Sequence, residues 1–169
     1  RTEDRAATIE AVRSGRAHLG LTSLLEPEPA LQSVVTLAVG QVALVPADDP
    51  LARRRRIRVR ALAGRPLVVP PAPRSHRATL AAALGEGLRV AVEVEGWELI
   101  RHYAALGLGL AVVNAYVPAP EGMKAVPIVD LPQVQVHLVR RRGAPAIPEV
   151  AALQEHLERH LRGRSSVRA

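Results

Sequence analysis

Arg74, Ser75, His76 and Arg77 stand in a row directly after a Pro-stiffened stretch, Pro71-Ala72-Pro73. Ser is a preferred helix N-cap, because its oxygen accepts a free backbone N–H of the first turn. A helix opening here leaves the amides of Arg77 and Ala78 free and places roughly half a positive charge at its start. An arginine fork adds charge-assisted donors. The chemistry these residue types can do together is reception of a carboxylate or a similar anion. The plain alternative is a capped helix with arginines in solvent, or Arg77 paired to a carboxylate such as Glu95. Two other polar segments follow apolar runs: Thr22-Ser23 after Leu19 to Leu21, and Glu95-Gly96-Trp97 after Val90 to Val94.

Other spacings that suggest chemistry do not hold. Gly107-Leu108-Gly109 follows a helical segment and precedes a strand, the reverse of the dinucleotide-binding order of strand, glycines and helix, so these residues read as a helix C-cap and tight turn. His156 and His160 lie four apart on a helix, a metal-gripping spacing, but no third ligand accompanies them in sequence. Ser75-His76 lacks the G-x-S-x-G frame of a nucleophile elbow. No carboxylate pair is marked out by apolar surroundings as acid and base. No catalytic residue, metal site or cofactor is expected, and the chain is read as not an enzyme.

The elements that must position the polar segments follow from hydrophobic patterning. Thr8 to Ser14 reads as a helix stopped by Gly15, and His18 to Thr22 as a short buried strand. Val34 to Pro46 is one long strand or two, with a possible bend at Gly40. Pro66 to Pro70 is a buried strand, Ser75 to Leu84 a helix, Arg89 to Glu95 a strand and Trp97 to Leu106 a helix. Strands follow at Leu110 to Val113, Val126 to Ile128 and Val134 to Val139. A last helix opens at Pro148 with Val150, Leu153, Leu157 and Leu161 in one stripe and ends at Gly163. Short continuous apolar strands between helices predict an α/β fold with a parallel sheet covered on both faces. In such sheets ligands bind at the carboxyl ends of strands, and the three polar segments lie at such ends.

With 169 residues and 48% hydrophobic content, the chain can build one core or two small ones. Aromatics are 2%, so that core must be Leu, Val, Ile and Ala. There is no cysteine, which excludes disulfides and thiolate metal sites. No apolar stretch is long enough to span a membrane, and Arg1-Thr2-Glu3-Asp4 begins no leader, so a cytoplasmic location is expected. The net charge of +7 invites a nucleic-acid reading. Outside Arg53 to Arg56, Arg140 to Arg142 and the tail the charges are spread out, and no aromatics interleave them as base stacking requires. Composition alone therefore favours solvated surface arginines.

A resemblance organises these pieces. Val12-x-x-Gly15-x-x-x-Leu19-Gly20-Leu21, with His18 where an Asp is usual, resembles a helix–Gly–strand stretch of LysR-type transcription regulators. Leu44-Val45-Pro46-Ala47-Asp48-Asp49-Pro50-Leu51-Ala52 is similar to another family segment, with Asp49 replacing a His. Leu62-Ala63-Gly64-Arg65-Pro66-Leu67-Val68, Ser75-x-Arg77, Val92-Glu93, Ala105 to Ala111, Pro127-Ile128 and Leu138-Val139-Arg140-Arg141 follow in the family's order. The resemblance covers nearly the whole chain.

It implies the effector-sensing domain of such a regulator, with a type 2 periplasmic-binding-like α/β fold in two lobes joined by two crossover strands. Lobe one is then 1–36 with 143–169, and lobe two 37–142. The resemblance also implies a small-molecule effector between the lobes, touching Thr22, Ser23, Arg74, Ser75, His76, Arg77, Gly96, Trp97 and Ile100. It further implies assembly as a homodimer or tetramer, and promoter DNA contact only through an N-terminal winged helix-turn-helix outside this sequence. Relative to the family's regulatory domain, a first strand–helix–strand is expected to be missing. Two rival readings are a free-standing solute-binding protein of the same fold and a small α/β enzyme.

Overall fold

A computed structural model describes residues 5–24, 27–72 and 74–162. The helices are α1 (Arg5–Arg13), α2 (Ser75–Leu84), α3 (Trp97–Ala105) and α4 (Pro148–Arg162). The strands are β1 (Leu19–Ser23), β2 (Leu31–Val39), β3 (Gln41–Pro46), β4 (Pro66–Val69), β5 (Arg89–Glu93), β6 (Leu110–Asn114), β7 (Met123–Ile128) and β8 (Val134–Arg141). Two short 3-10 turns, Pro50–Arg53 and Val59–Leu62, precede β4. The chain divides into two compact units. One comprises residues up to Val39 together with those from Val134 onward, and the other spans Gly40–Gln133.

The first unit is a three-stranded antiparallel sheet in the order β1-β8-β2. Leu19 lies opposite Arg140, and Leu31 opposite Arg141. Val12, Leu31 and Val139 are buried together, with Ile9, Ala17 and Leu24 packed around them. Gly20 sets how closely α1 lies on β1, because a Cβ there would meet Thr8, Val12 and Val139 at 2.9–3.1 Å. The α4 stripe packs partly: Val150, Leu157 and Leu161 are half-buried, whereas Leu153 stays exposed. The expected end of that helix at Gly163 lies outside the described residues.

The second unit holds a five-stranded sheet in the order β5-β4-β6-β3-β7. β4 pairs in parallel with β5 and β6, while β3 is antiparallel to β6 and β7. The sheet is thus mixed, which corrects the expectation of a purely parallel one. β3 follows β2 after the single residue Gly40, with no crossover helix between them, so it enters at the edge where the parallel strands end and runs against them. The strands bury both faces with period two. Ala43, Val45, Leu67, Val69, Leu110 and Val112 face Leu62 and Leu80. Val42, Leu44, Val68, Ala111 and Val113 face Ile100 and Ala104. That two-sided burial is why these strands read as continuous apolar runs. No helix among the described residues is long and apolar enough to cross a membrane.

Candidate functional site

In the second unit β4, β5 and β6 end at one edge of the sheet. Gln41 at the start of β3 lies at the same edge, opposite both Asn114 and Ile128. The chain leaves β4 at Pro70 and turns through a hydrogen bond from the Arg74 amide to the Pro71 carbonyl, 3.1 Å, into α2. Arg74 is extended (φ −57°, ψ 134°) and is the cap residue, with no side-chain capping bond. Ser75 is therefore the first helical residue and not the N-cap expected from its type. The turn closes one position earlier and draws Ser75 into the helix, where its exposed side chain is free of capping duty. From β5 the chain passes Glu95 and Gly96, whose φ of +90° suits glycine, into α3 at Trp97.

His76 is the hub of this edge. Its Nε2–H donates to the Val112 carbonyl at 2.8 Å, since a carbonyl can only accept. Its ring meets Trp97 edge to face, with centroids 5.0 Å apart. Burial pushes its pKa below the ordinary imidazole range, opposed in part by the bond to Val112. Both arginines face carboxylates. Arg74 forms an ion pair with Glu95, and Arg77 Nε lies 3.8 Å from Glu93 Oε1, too far for a hydrogen bond. Nε and Nη1 of Arg77 are buried without a hydrogen-bond partner. Of the two arginines, Arg77 is thus the one with donors still to give.

The site residues read from sequence divide as follows. Arg74, Ser75, His76, Arg77, Gly96 and Trp97 converge at this edge. Ile100 is 1% exposed and packs in the core behind it. Thr22 and Ser23 belong to the first unit, where Thr22 is buried opposite His137, whose Nδ1 has no hydrogen-bond partner.

Two residues escaped the sequence reading. Gln41 is 4% and Asn114 6% exposed. Gln41 Nε2 donates to the Pro132 carbonyl at 2.9 Å and Asn114 Nδ2 to the Tyr116 hydroxyl at 3.2 Å, leaving Oε1 and Oδ1 without partners. The available signal was a carboxamide at the tip of an otherwise apolar strand, in GQVALVP and LAVVN. No group of three or more metal-ligating side chains occurs among the described residues, and His156 and His160 stack ring on ring.

A family model described as LysR substrate binding domain matches residues 1–162. No match is found among curated protein sequences. Among solved structures, the effector binding domain of QuiR in complex with shikimate is 14% identical with a TM-score of 0.77, covering 95% of this chain and 79% of that one. The BenM effector binding domain with its effector benzoate is 18% identical with a TM-score of 0.79, covering 99% and 79%. The reduced OxyR regulatory domain from Pseudomonas aeruginosa is 22% identical with a TM-score of 0.77, covering 99% and 81%. These neighbours share the type 2 periplasmic-binding-like fold with this chain.

Proposed function

The chain belongs to the family of LysR substrate-binding domains, which are regulatory and not enzymatic, and from that membership we propose that it senses a small anionic effector, most simply a carboxylate, at the start of α2. The observation that carries the reading is Arg77, whose buried Nε and Nη1 lack partners at the edge where β4, β5 and β6 end. A charge-assisted hydrogen bond to such a donor contributes about 1.5–3 kcal/mol. The first amides of α2 and the Ser75 hydroxyl supply neutral donors, and Trp97 supplies an apolar flank. His76 shapes the site from below, with its Nε2 already held by Val112. Thr22 and Ser23 of the first unit are proposed as further effector contacts, able to orient a ligand without adding repulsive charge. The ligands named for QuiR and BenM, shikimate and benzoate, are both carboxylic acids. In the intact regulator, we propose, the domain assembles as a homodimer or tetramer and couples the effector to promoter DNA held by a winged helix-turn-helix.

A thermal-shift screen of small carboxylates, amino acids and aromatic acids identifies the effector. Calorimetry on Arg77→Ala, Ser75→Ala and Thr22→Val then tests the site. Loss of the Arg77 donors should weaken binding by about tenfold or more, and Ser75→Ala by less. If all three variants fold and bind as tightly as the parent, the site lies elsewhere.

A further inference from the structure

A second surface of the 40–133 unit carries an arrangement that effector sensing does not use. Arg53, Arg54, Arg55, Arg56, Arg58 and Arg60 are all exposed, six guanidinium groups within eight positions. None of them makes an ion pair or a side-chain hydrogen bond with a described residue. Four arginines elsewhere do: Arg13 with Glu10, Arg65 with Asp49, Arg74 with Glu95, Arg101 with Glu98. The carboxylates close to the run are engaged otherwise. Asp49 takes Arg65 and the Leu51 amide, and Asp130 takes the Val59 amide at 2.8 Å. Asp48 is the remaining acidic residue near it in sequence.

The run is firmly anchored. Ile57 and Val59 are buried between the arginines, and Ala52 and Leu62 are buried on either side of the run. Ile57 donates to the Pro127 carbonyl at 2.8 Å and accepts from the Val129 amide at 3.0 Å, which ties the segment to the end of β7. Its backbone is ordered before any partner arrives, so binding need not supply that entropy. Six unpaired like charges on a fixed segment repel one another and add nothing to the fold. They are matched by a partner of regularly spaced negative charge.

We infer that this surface binds the phosphate backbone of duplex nucleic acid without reading its sequence. The planar guanidinium grips phosphate through two parallel bonds. Arg56 and Arg58 alternate outward across buried Ile57. Two extended residues advance about 6.6 Å, close to the rise of two base pairs, about 3.4 Å each, along the axis of a duplex. The segment carries no aromatic ring for stacking unpaired bases. Its large apolar side chains all turn inward, leaving none to wedge into a lipid surface. The run is contiguous in the sequence, and the bridge of Ile57 to Ile128 sets it beside the edge strand β7. The inference is independent of the effector reading.

The test is fluorescence anisotropy of the 169-residue chain on a short duplex of arbitrary sequence over a salt series. One variant carries Arg54→Gln, Arg55→Gln, Arg56→Gln and Arg58→Gln. A control carries Arg13→Gln, Arg89→Gln, Arg101→Gln and Arg159→Gln, the same change in charge placed elsewhere, and circular dichroism confirms that both fold. The parent should bind at low salt with log affinity falling linearly against log salt. The first variant should weaken binding by about tenfold or more, with the slope shallower by about 0.9 for each phosphate no longer neutralised. The control should weaken it by less than about threefold. No binding by the parent at low salt, or equal weakening in the two variants, would overturn the inference. So would tighter binding to single strands, anionic vesicles or polyglutamate than to the duplex.

Discussion

The His76 Nε2 sits 2.8 Å from the Val112 carbonyl oxygen while its ring lies edge-on to Trp97. One imidazole thereby ties the first turn of α2 to β6 and to the first turn of α3. The strand ends around the candidate site are held by this contact, and its strength depends on protonation. Folding keeps the ring neutral, so the unfolded chain takes up a proton more readily than the native one. The stabilisation is therefore full above the ordinary imidazole pKa of about 6.5 and declines as pH falls below it through the lower native value. Thermal melting across mildly acidic to neutral pH should show that decline, and His76→Gln, which keeps a donor for Val112, should flatten it. An unchanged profile in the variant would assign the pH dependence to other groups.

Asp49 does two jobs at the turn before β4. Its Oδ1 accepts from the Leu51 amide at 2.8 Å and its Oδ2 meets Arg65 at 2.5 Å. The Arg65 hydrogen bond holds its pKa below the usual carboxylate range, against the opposing effect of burial. This contribution is present above the ordinary carboxylate pKa and is lost as pH falls through the lower native value. Asp49→Ala removes the cap and the ion pair, and should cost about 0.5–2 kcal/mol in urea denaturation. Asp49→Asn keeps a capping oxygen and should cost less; equal costs would mean the ion pair matters more than the cap.

Gly109 and Gly40 offer a contrast in space. A Cβ on Gly109 would lie 2.8 Å from the Pro66 carbonyl oxygen, whereas one on Gly40 meets nothing within 4 Å. The obstacle at Gly109 is backbone in the paired strand β4, which cannot rotate away. Gly109→Ala should destabilise by about 1–3 kcal/mol, and Gly40→Ala should be close to neutral by the same melting assay. Similar melting temperatures for the two would contradict the packing of β6 on β4.

Leu99 and Leu106 are seven residues apart at the solvent side of α3 and its end, 47% and 61% exposed, and Leu108, two positions further along the chain, is 46% exposed. Apolar side chains so grouped favour burial against a second molecule. The chain should self-associate as a dimer in light scattering, and Leu99→Glu with Leu106→Glu should shift it toward monomer. A clean monomer at high concentration for the parent would refute this.

Much of the architecture was legible because it rests on local rules. The Val- and Leu-rich runs around Val42 to Val45, Leu67 to Val69 and Ala111 to Val113 announce strands buried on both faces. Gly107 with φ +78° closes α3 as a helix stop should. The cluster Arg74 to Arg77 and the start of α3 at Trp97 were visible as polar residues at strand ends, since a strand must hand its chain to a turn there. What needed the fold were relations between residues distant in sequence. Residue type marked Ser75 as the cap, but the turn from Pro71 placed that role on Arg74. Glu95 was a possible partner for Arg77, yet the register of β4 on β5 gives Glu95 to Arg74 and leaves Arg77 short of Glu93. Gln41 and Asn114 look unremarkable at strand tips until β3 runs antiparallel to β6 and sets them opposite each other, buried, with an acceptor unmet on each. The sequence by itself thus determined which segments form strands and helices, because period and side-chain volume act within a few residues. Only the tertiary structure decided which charges are paired and which polar atoms are left without partners, because electrostatic and hydrogen-bond satisfaction depends on what the folded chain brings within about 3 Å.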